Sequence, residues 1–272
     1  MADLCDIAII GPGNVGTAMA ALAGKVGLRA ALVRRGQTPS PAELVLLTVG
    51  DDVIESVCSQ LSRAKAFKRG SVVAHCSGAL SSEILAAARE ECGCHIGSMH
   101  PLQTFPTVEA AIAAIPGSYC FCEGDALAVE SLKAFAARIG ARAVVMDSGG
   151  KALYHAAAVM ACNYLTTLLE CGLELMGEAG IERELAKKAL LPLVCSTLDN
   201  NAMLGPAGAL TGPIVRGDTA TVGRHMAALR GRTAALYRAA GLKTIELALK
   251  KGSIDAAKAD ALRKILSEGK ED

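Results

Sequence analysis

Lysine, tyrosine and histidine lie close together at one point of the sequence where they could move protons or bind an anion. Lys151, Tyr154 and His155 are spaced i, i+3 and i+4, so they share one face if this segment is helical. An ammonium, a phenol and an imidazole can bind a carboxylate or donate a proton to a carbonyl oxygen. We therefore predict catalytic roles for Lys151 and His155. The alternatives are a solvated lysine at a helix start and a tyrosine in the core.

Further polar residues follow the predicted strands. Ser77 and Gly78 follow the fourth strand, and His100 and Gln103 follow the fifth. Ligands of open α/β sheets bind outside the carboxyl ends of the strands, so these residues should surround one crevice. We predict that His100 is a third catalytic group, which orients the substrate. Arg216 could bind an anion or a partner subunit, or form a structural pair with Asp218.

A glycine-rich turn follows the first strand and precedes a small-residue helix. Its pattern is G-x-G-x-x-G, in which the glycines allow a tight turn, close approach of a pyrophosphate and close packing of the helix on the strand. The helix N-terminus adds free N–H groups and partial positive charge. We predict a dinucleotide site here, the alternative being an ordinary turn. The predicted contacts are Gly11, Pro12, Gly13, Asn14, Val15 and Gly16.

Two arginines at the end of the second strand predict which dinucleotide binds. A carboxylate at this position would bind a ribose 2′-hydroxyl, whereas Arg34 and Arg35 suit a 2′-phosphate. The cofactor predicted is NADP, and the alternative is a solvated basic turn. Later strand ends supply the remaining predicted cofactor contacts, which are Val49, Gly50, Asp51, Ser77 and Gly78.

Strands alternate with helices over the first half of the chain, and only helices are predicted afterwards. This pattern predicts an α/β fold with a mainly parallel Rossmann-like sheet over 1–148 and an all-α domain over 149–272. The segment 36–43 is too short for a crossover helix, so we expect a loop there. Asp51 or Asp52, and Ser81 or Ser82, are predicted helix caps, and 218–239 is predicted to be one helix.

Composition excludes several classes of function. The net charge is +1 and aromatic residues are 3%, which does not favour nucleic-acid binding. We find no signal peptide and no apolar run of about 18 residues, so we expect a cytoplasmic protein without a membrane span. The ten cysteines are scattered, and most are expected to be buried thiols. The pairs Cys92/Cys94 and Cys120/Cys122 lack the usual metal-ligand spacing, and no metal is predicted.

The chain resembles a bacterial group of Rossmann-like proteins with a helical C-terminal domain of unknown function. That group is part of the superfamily of 6-phosphogluconate dehydrogenase, ketopantoate reductase and pyrroline-5-carboxylate reductase. The resemblance covers nearly the whole chain and is carried by Gly11–Gly16, Val49–Asp52, His75–Leu80, His100–Phe105, Gly150–His155 and Thr211–Asp218.

The resemblance implies a homodimer through the helical domain, with the active cleft between domains. Related hydroxyacid dehydrogenases use a catalytic lysine on a helix, which Lys151 matches, and an asparagine one turn later, where this chain has His155. Prephenate dehydrogenases are similar around His100 and Pro101, which supports His100 as the group facing the substrate.

These observations predict an NADP(H)-dependent oxidoreductase acting on a small carbonyl, imine or hydroxy-acid substrate. The alternative is a non-catalytic NADP(H)-binding sensor or scaffold, which would keep the glycine turn and the dimer. The expected partners are a small-molecule substrate and a second copy of the chain, with no nucleic acid and no membrane.

Overall fold

A computed structural model describes residues 5–267, and contacts within the chain divide it into two compact units, Met1–Asn163 and Tyr164–Asp272. The described strands all lie in the first unit, and the described part of the second is helical. The predicted boundary near Gly150 coincides with the end of the last strand. Contacts instead group the helical stretch 151–163 with the sheet, so the two-domain assignment stays a prediction.

The first unit is built on a seven-stranded sheet in the order β2-β1-β3-β4-β5-β6-β7. All neighbouring strands are parallel except β5 and β6, which confirms the predicted mainly parallel sheet. Strand order reverses between β1 and β3, the place where such sheets bind ligands. The strands are β1 (Cys5–Ile10), β2 (Ala30–Val33), β3 (Ala42–Leu47), β4 (Val72–His75), β5 (His95–Pro101), β6 (Tyr119–Gly124) and β7 (Arg142–Val145).

Helices cover both faces of this sheet. The loop expected between β2 and β3 is confirmed, whereas a short helix after β5 was not predicted. The helices of the first unit are α1 (Asn14–Lys25), α2 (Ile54–Arg63), α3 (Ala86–Cys92), α4 (Val108–Ala114), α5 (Ala126–Arg138) and α6 (Lys151–Ala158). A π-helical turn, Val159–Asn163, follows α6.

Alternating strand residues form two apolar cores because successive side chains point to opposite faces of the sheet. Ile7 and Ile9 of β1 belong to one core, which also contains residues of α1 and α5. Ala8 and Ile10 belong to the other, which also contains residues of α2 and α3. Both faces of the sheet are therefore covered, and the carboxyl ends of its parallel strands remain available for a ligand site.

The second unit consists of packed helices with its own apolar core. The prediction of one helix over 218–239 is wrong, because the chain is extended at Leu229 and Arg230 and forms two helices there. Asp218 caps the first of them by accepting the N–H of Thr221 at 2.9 Å. The helices are α7 (Tyr164–Glu178), α8 (Arg183–Ala209), α9 (Pro213–Arg216), α10 (Thr219–Ala228), α11 (Gly231–Lys251) and α12 (Ala256–Ser267).

One apolar helical segment has little of its surface covered. Among the described residues, only Ser148–Glu178 is long and apolar enough to cross a membrane by length and composition. We expected no such segment from the sequence, because polar residues such as His155 and Asn163 interrupt it. Within its most apolar window, 6% of residues are buried. Length and composition are weak evidence for a membrane, and an apolar face of this kind also suits contact with another protein surface.

Candidate active site

The glycine turn after β1 has the close packing that its sequence predicts. A Cβ atom at Gly16 would lie 2.1 Å from the Gly11 carbonyl oxygen and 2.3 Å from Thr48 Oγ1. Gly11 has a φ of 111°, a conformation that favours glycine. At Gly13, by contrast, an added Cβ meets nothing within 4 Å, so this backbone borders open space. The turn therefore packs α1 closely against β1 and leaves room for a pyrophosphate at the start of α1.

A cavity of about 460 Å³ adjoins this turn and holds both predicted arginines. Arg34 and Arg35 line it together with Gly11, Pro12 and Val49. Both arginines are exposed, and the Arg34 N–H donates to Gln37 Oε1 at 2.7 Å, which fixes the turn after β2. The structure thus brings five predicted cofactor residues together at the carboxyl ends of β1, β2 and β3. A 2′-phosphate here would meet two guanidinium groups, each able to form bidentate hydrogen bonds.

The loop after β4 is held in one conformation by side-chain hydrogen bonds. Ser77 Oγ donates to Asp51 Oδ2 at 2.8 Å and accepts the N–H groups of Ala79 and Leu80, each at 3.1 Å. Asp51 therefore connects the loop after β3 to the loop after β4. This contact replaces the predicted helix cap, since no side chain caps the turn at Asp51–Val53 or the helix α2 that follows it.

The His75 side chain stabilises the same loop through hydrogen bonds of both ring nitrogens. Its Nδ1 accepts the Ser77 N–H at 3.1 Å, and its Nε2 lies 3.1 Å from the Ser81 carbonyl oxygen, to which it can donate. Burial lowers the pKa of His75 to about 4. A neutral imidazole is what this arrangement needs, because one ring nitrogen must accept while the other donates.

Lys151 is buried under the loop that carries Ser77, and it is not among the residues that line the cavity beside the glycine turn or the cavity beside His100. Its ammonium donates to the Ser77 carbonyl oxygen at 3.0 Å and to Ser98 Oγ at 2.5 Å, and it lies 3.6 Å from Glu123 Oε1. The side chain is 3% exposed. Burial lowers the pKa of Lys151, and the Glu123 carboxylate opposes that effect. The role of Lys151 as a proton donor stays a prediction that this placement does not favour.

Glu123 is fully engaged in the same buried network. Its oxygens accept the N–H and the hydroxyl of Ser82, each at 2.8 Å, and the hydroxyl of Ser98 at 2.7 Å. The expected cap by Ser81 or Ser82 is therefore wrong, because Ser82 binds Glu123 and no side chain caps the turn that begins at Ser82. The network joins β5, β6 and the start of α6 directly below the loop that carries Ser77.

Three side chains that could carry protons meet above the loop at Gly78. His100 Nδ1 lies 2.7 Å from Tyr154 Oη, and the His100 and His155 rings are 6.0 Å apart in an edge-on arrangement. Burial, helped by the neighbouring His155, lowers the pKa of His100 to about 4, and burial raises that of Tyr154. The phenol therefore keeps its proton, and in the tautomer in which it donates to Nδ1 the N–H of His100 lies on Nε2.

Gly78 lies between the two imidazoles. A Cβ on this residue would be 2.8 Å from His155 Cδ2 and 2.9 Å from His100 Nε2. His100 Nε2–H and the His155 ring thus flank one short piece of backbone at the carboxyl ends of β4 and β5. The predicted groups His100 and His155 are brought together, and Tyr154 joins them.

A second cavity, of about 510 Å³, extends from these rings. Its walls are apolar or carry uncharged polar groups, apart from the two histidines, and within the described residues that line it no Lys, Arg, Asp or Glu occurs. The lining residues are His100, Leu102, Gln103, Thr104, Phe121, Tyr154, His155, Ala157, Ala158, Val159, Ala161, Cys162 and Asn163. The cavity has the size of a small-molecule site.

The remaining predicted groups lie elsewhere. Arg216 ends α9 of the second unit, so a role in anion or subunit binding stays a prediction. Cys92 and Cys94 are separate free thiols. Among residues 5–267, no cluster of three His, Cys, Asp or Glu side chains could hold a metal ion.

Comparison with family models confirms the resemblance drawn from the sequence. Residues 29–101 match a Rossmann-like domain, and residues 118–244 match a domain of unknown function, DUF2520. No curated protein sequence matches the chain.

Solved structures share the fold at low sequence identity. A candidate NADP oxidoreductase from Bacteroides fragilis matches with 21% identity and a TM-score of 0.71, covering 92% of this chain and 100% of that chain. The NADP-bound pyrroline carboxylate reductase of Plasmodium falciparum matches with 13% identity and a TM-score of 0.52, covering 99% and 100%. An Aspergillus terreus reductive aminase in complex with NADPH and ethyl levulinate matches with 15% identity and a TM-score of 0.59, covering 97% and 93%.

Proposed function

We propose that this protein is an NADP(H)-dependent oxidoreductase that transfers hydride between nicotinamide and a small carbonyl, imine or hydroxy compound. One observation carries the proposal. The same edge of the sheet holds a glycine turn with Arg34 and Arg35 beside it and, three strands from β1, the His100–His155 pair next to a small-molecule cavity. A dinucleotide bound in extended form along the carboxyl edge of a Rossmann-like sheet can reach from the glycine turn to the His100–His155 pair.

The residues present fit NADP. The open backbone at Gly13 and the N-terminus of α1 can bind the pyrophosphate, and the two arginines can bind the 2′-phosphate. Relatives with the same fold hold NADP or NADPH. Gly50, Asp51, Ser77 and Gly78 would then face the nicotinamide half of the cofactor.

NADPH supplies the hydride when it is bound. A carbonyl that receives this hydride gains a negative charge on oxygen, which must be stabilised and then protonated. In the tautomer in which Nδ1 accepts the Tyr154 hydroxyl, His100 Nε2–H can donate a hydrogen bond to that oxygen. His155 can deliver the proton as a general acid, since its ring lies beside His100 and against Gly78. For an imine substrate, the nitrogen takes the place of the oxygen.

The non-catalytic alternative, a sensor or scaffold, would need the cofactor site and not the second cavity. The buried network below Gly78 and the His100–Tyr154 hydrogen bond beside the second cavity favour an enzyme, because binding of the cofactor alone requires neither feature. Under either reading, a cytoplasmic location remains part of the proposal.

The test is a screen that follows nicotinamide absorbance, with NADPH consumed by ketones and imines and with NADP⁺ reduced by hydroxy acids. Ethyl levulinate is a suitable first ketone, because a structural relative binds it. We expect turnover with at least one member and a loss of about 10²-fold or more in His155→Ala. Turnover equal to wild type in His155→Ala would remove this residue from the mechanism.

We also propose that a second copy of the chain covers the apolar surface of the second unit. The helices α7 and α8 pack on each other and leave large apolar side chains exposed. These exposed side chains are Tyr164, Leu168, Leu185, Leu191, Leu193, Leu198, Met203 and Leu204. Light scattering without detergent should give a mass twice the chain mass of 27.9 kDa, and in Leu193→Glu the measured mass should fall to that of a single chain. A monomeric wild type, or one that requires lipid or detergent, would contradict the dimer.

A further inference from the structure

The peptide bond between Ser77 and Gly78 is bound on one side only. Its carbonyl oxygen accepts the Lys151 ammonium at 3.0 Å in the interior. The bond is trans, since the chain has no cis peptide among its described residues. In a trans peptide the C=O and N–H point in opposite directions, so the Gly78 N–H points away from the buried lysine.

This N–H lacks a partner within the part of the chain that the structure describes. The neighbouring N–H groups of Ser77, Ala79 and Leu80 are each accepted by a side chain of the loop, whereas the Gly78 N–H is not. Gly78 is buried, and an added Cβ there would touch both His100 and His155. Buried N–H groups are rarely left unpaired, so an unpaired one beside two imidazoles indicates a place for an acceptor.

We infer that the Gly78 N–H donates a hydrogen bond to a carbonyl oxygen bound beside His100 and His155, and that Lys151 is the positioning residue which orients and polarises this peptide. The inference rests on the proposed function for the identity of the oxygen. That oxygen can belong to the substrate or to the carboxamide of the nicotinamide. In both cases the Gly78 N–H donates a hydrogen bond to a carbonyl oxygen.

Lys151 suits this role better than it suits proton transfer. Its ammonium forms an ion pair with Glu123 at 3.6 Å and donates hydrogen bonds to Ser77 and Ser98. A cation on the carbonyl side draws electron density through the peptide and makes the N–H a stronger donor, because hydrogen bonds in a chain polarise one another. The low-dielectric surroundings strengthen the effect, and the fixed loop avoids reorganisation when negative charge develops.

The peptide can be observed directly by nuclear magnetic resonance. The chain contains two Ser–Gly sequences, Ser77–Gly78 and Ser148–Gly149. Labelling serine carbonyl carbons with ¹³C and glycine nitrogens with ¹⁵N therefore gives two carbonyl-to-amide correlations, and the second is an internal control. In Lys151→Met, the Ser77 carbonyl carbon and the Gly78 nitrogen should both move upfield, and Lys151→Arg should restore part of the shift.

An unchanged Ser77–Gly78 correlation in a folded Lys151→Met protein would overturn the polarising role. Folding is judged by circular dichroism and by the Ser148–Gly149 correlation, and neither readout depends on activity. Should the methionine variant fail to fold, the wild-type protein still tests the donor. Saturating NADP⁺ and then ethyl levulinate are added, and the Gly78 amide proton is followed.

A downfield move with NADP⁺ alone assigns the acceptor to the carboxamide, and one that requires the ketone assigns it to the substrate. No move with both present overturns the inference. Calorimetry of NADP⁺ binding distinguishes the two hypotheses. A protein that does not bind NADP⁺ contradicts the proposed function, whereas a protein that binds NADP⁺ without a shift of the Gly78 amide proton contradicts the role of the Gly78 N–H.

Kinetics distinguish positioning from proton transfer. Lys151→Met should lower kcat about 10-fold to 10²-fold with little change in KM for NADPH, and the limbs of the pH profile should keep their positions. Loss of a limb would instead show that Lys151 itself transfers a proton, and would overturn its assignment as a positioning residue.

Discussion

Replacing Gly78 with alanine tests the placement of the two imidazoles most sharply. The new methyl group would lie 2.8 Å from His155 Cδ2 and 2.9 Å from His100 Cε1 and Nε2. Non-bonded atoms prefer separations of about 3.5–4.0 Å, so the rings must retreat by roughly 0.6–1 Å. A misplacement of about 1 Å in a catalytic arrangement can cost about 10²-fold in rate, or about 2.7 kcal/mol of barrier.

The matched control is Gly149→Ala, which makes the same change close to the start of α6. There an added Cβ has no neighbour closer than 3.6 Å, an ordinary contact. We expect kcat/KM of Gly78→Ala for the carbonyl substrate to fall about 10²-fold at saturating NADPH, with cofactor occupancy checked by nicotinamide fluorescence and thermal stability unchanged within a few degrees. Wild-type turnover in Gly78→Ala, or an equal loss in Gly149→Ala, would refute the reasoning.

Three further predictions concern the cofactor, pH and charge. Arg34→Glu should weaken NADPH binding by about 10-fold to 10²-fold in calorimetry and leave NADH nearly unchanged, because a charge-assisted hydrogen bond is worth about 1.5–3 kcal/mol; equal losses would contradict the 2′-phosphate assignment. His75 and His100 titrate near 4 in the folded chain and at an ordinary 6.5 when unfolded, so the unfolded chain binds more protons between these values. Stability should therefore be highest above pH 6.5 and fall toward pH 4 by on the order of 3 kcal/mol per histidine, and urea unfolding of His75→Gln should show a shallower fall than wild type. The uncharged lining of the second cavity predicts a higher kcat/KM for ethyl levulinate than for levulinate, and the reverse order would indicate a cation that this lining lacks.

Local patterns predicted the secondary structure around the site well. Gly11, Gly13 and Gly16 located the first turn, and short continuous apolar runs located β1 and β3. The break at Leu229 and Arg230 was missed because the helical pattern of apolar residues continues across it. The caps predicted at Asp51 and Ser82 were wrong because these side chains form hydrogen bonds with residues distant in sequence, Ser77 and Glu123.

The network around Lys151 could not be predicted from sequence spacing. Its partners Ser77, Ser98 and Glu123 come from three different places in the chain, and only the folded sheet brings them together. One signal was present: Glu123 is a carboxylate in an otherwise apolar strand, and a buried charge needs a partner. The lysine at the start of α6 is that partner.

Hydride transfer itself is the most direct test of the account. NADPH labelled with deuterium at both C4 positions of the nicotinamide should be incubated with the ketones and imines of the screen, and the products analysed by mass spectrometry. We predict one deuterium on the former carbonyl or imine carbon, and a rate of its transfer about 10²-fold lower in Gly78→Ala at equal cofactor occupancy. A protein that binds NADPH tightly, and transfers no deuterium to any member of the panel, would contradict catalysis and support a cofactor-binding sensor or scaffold.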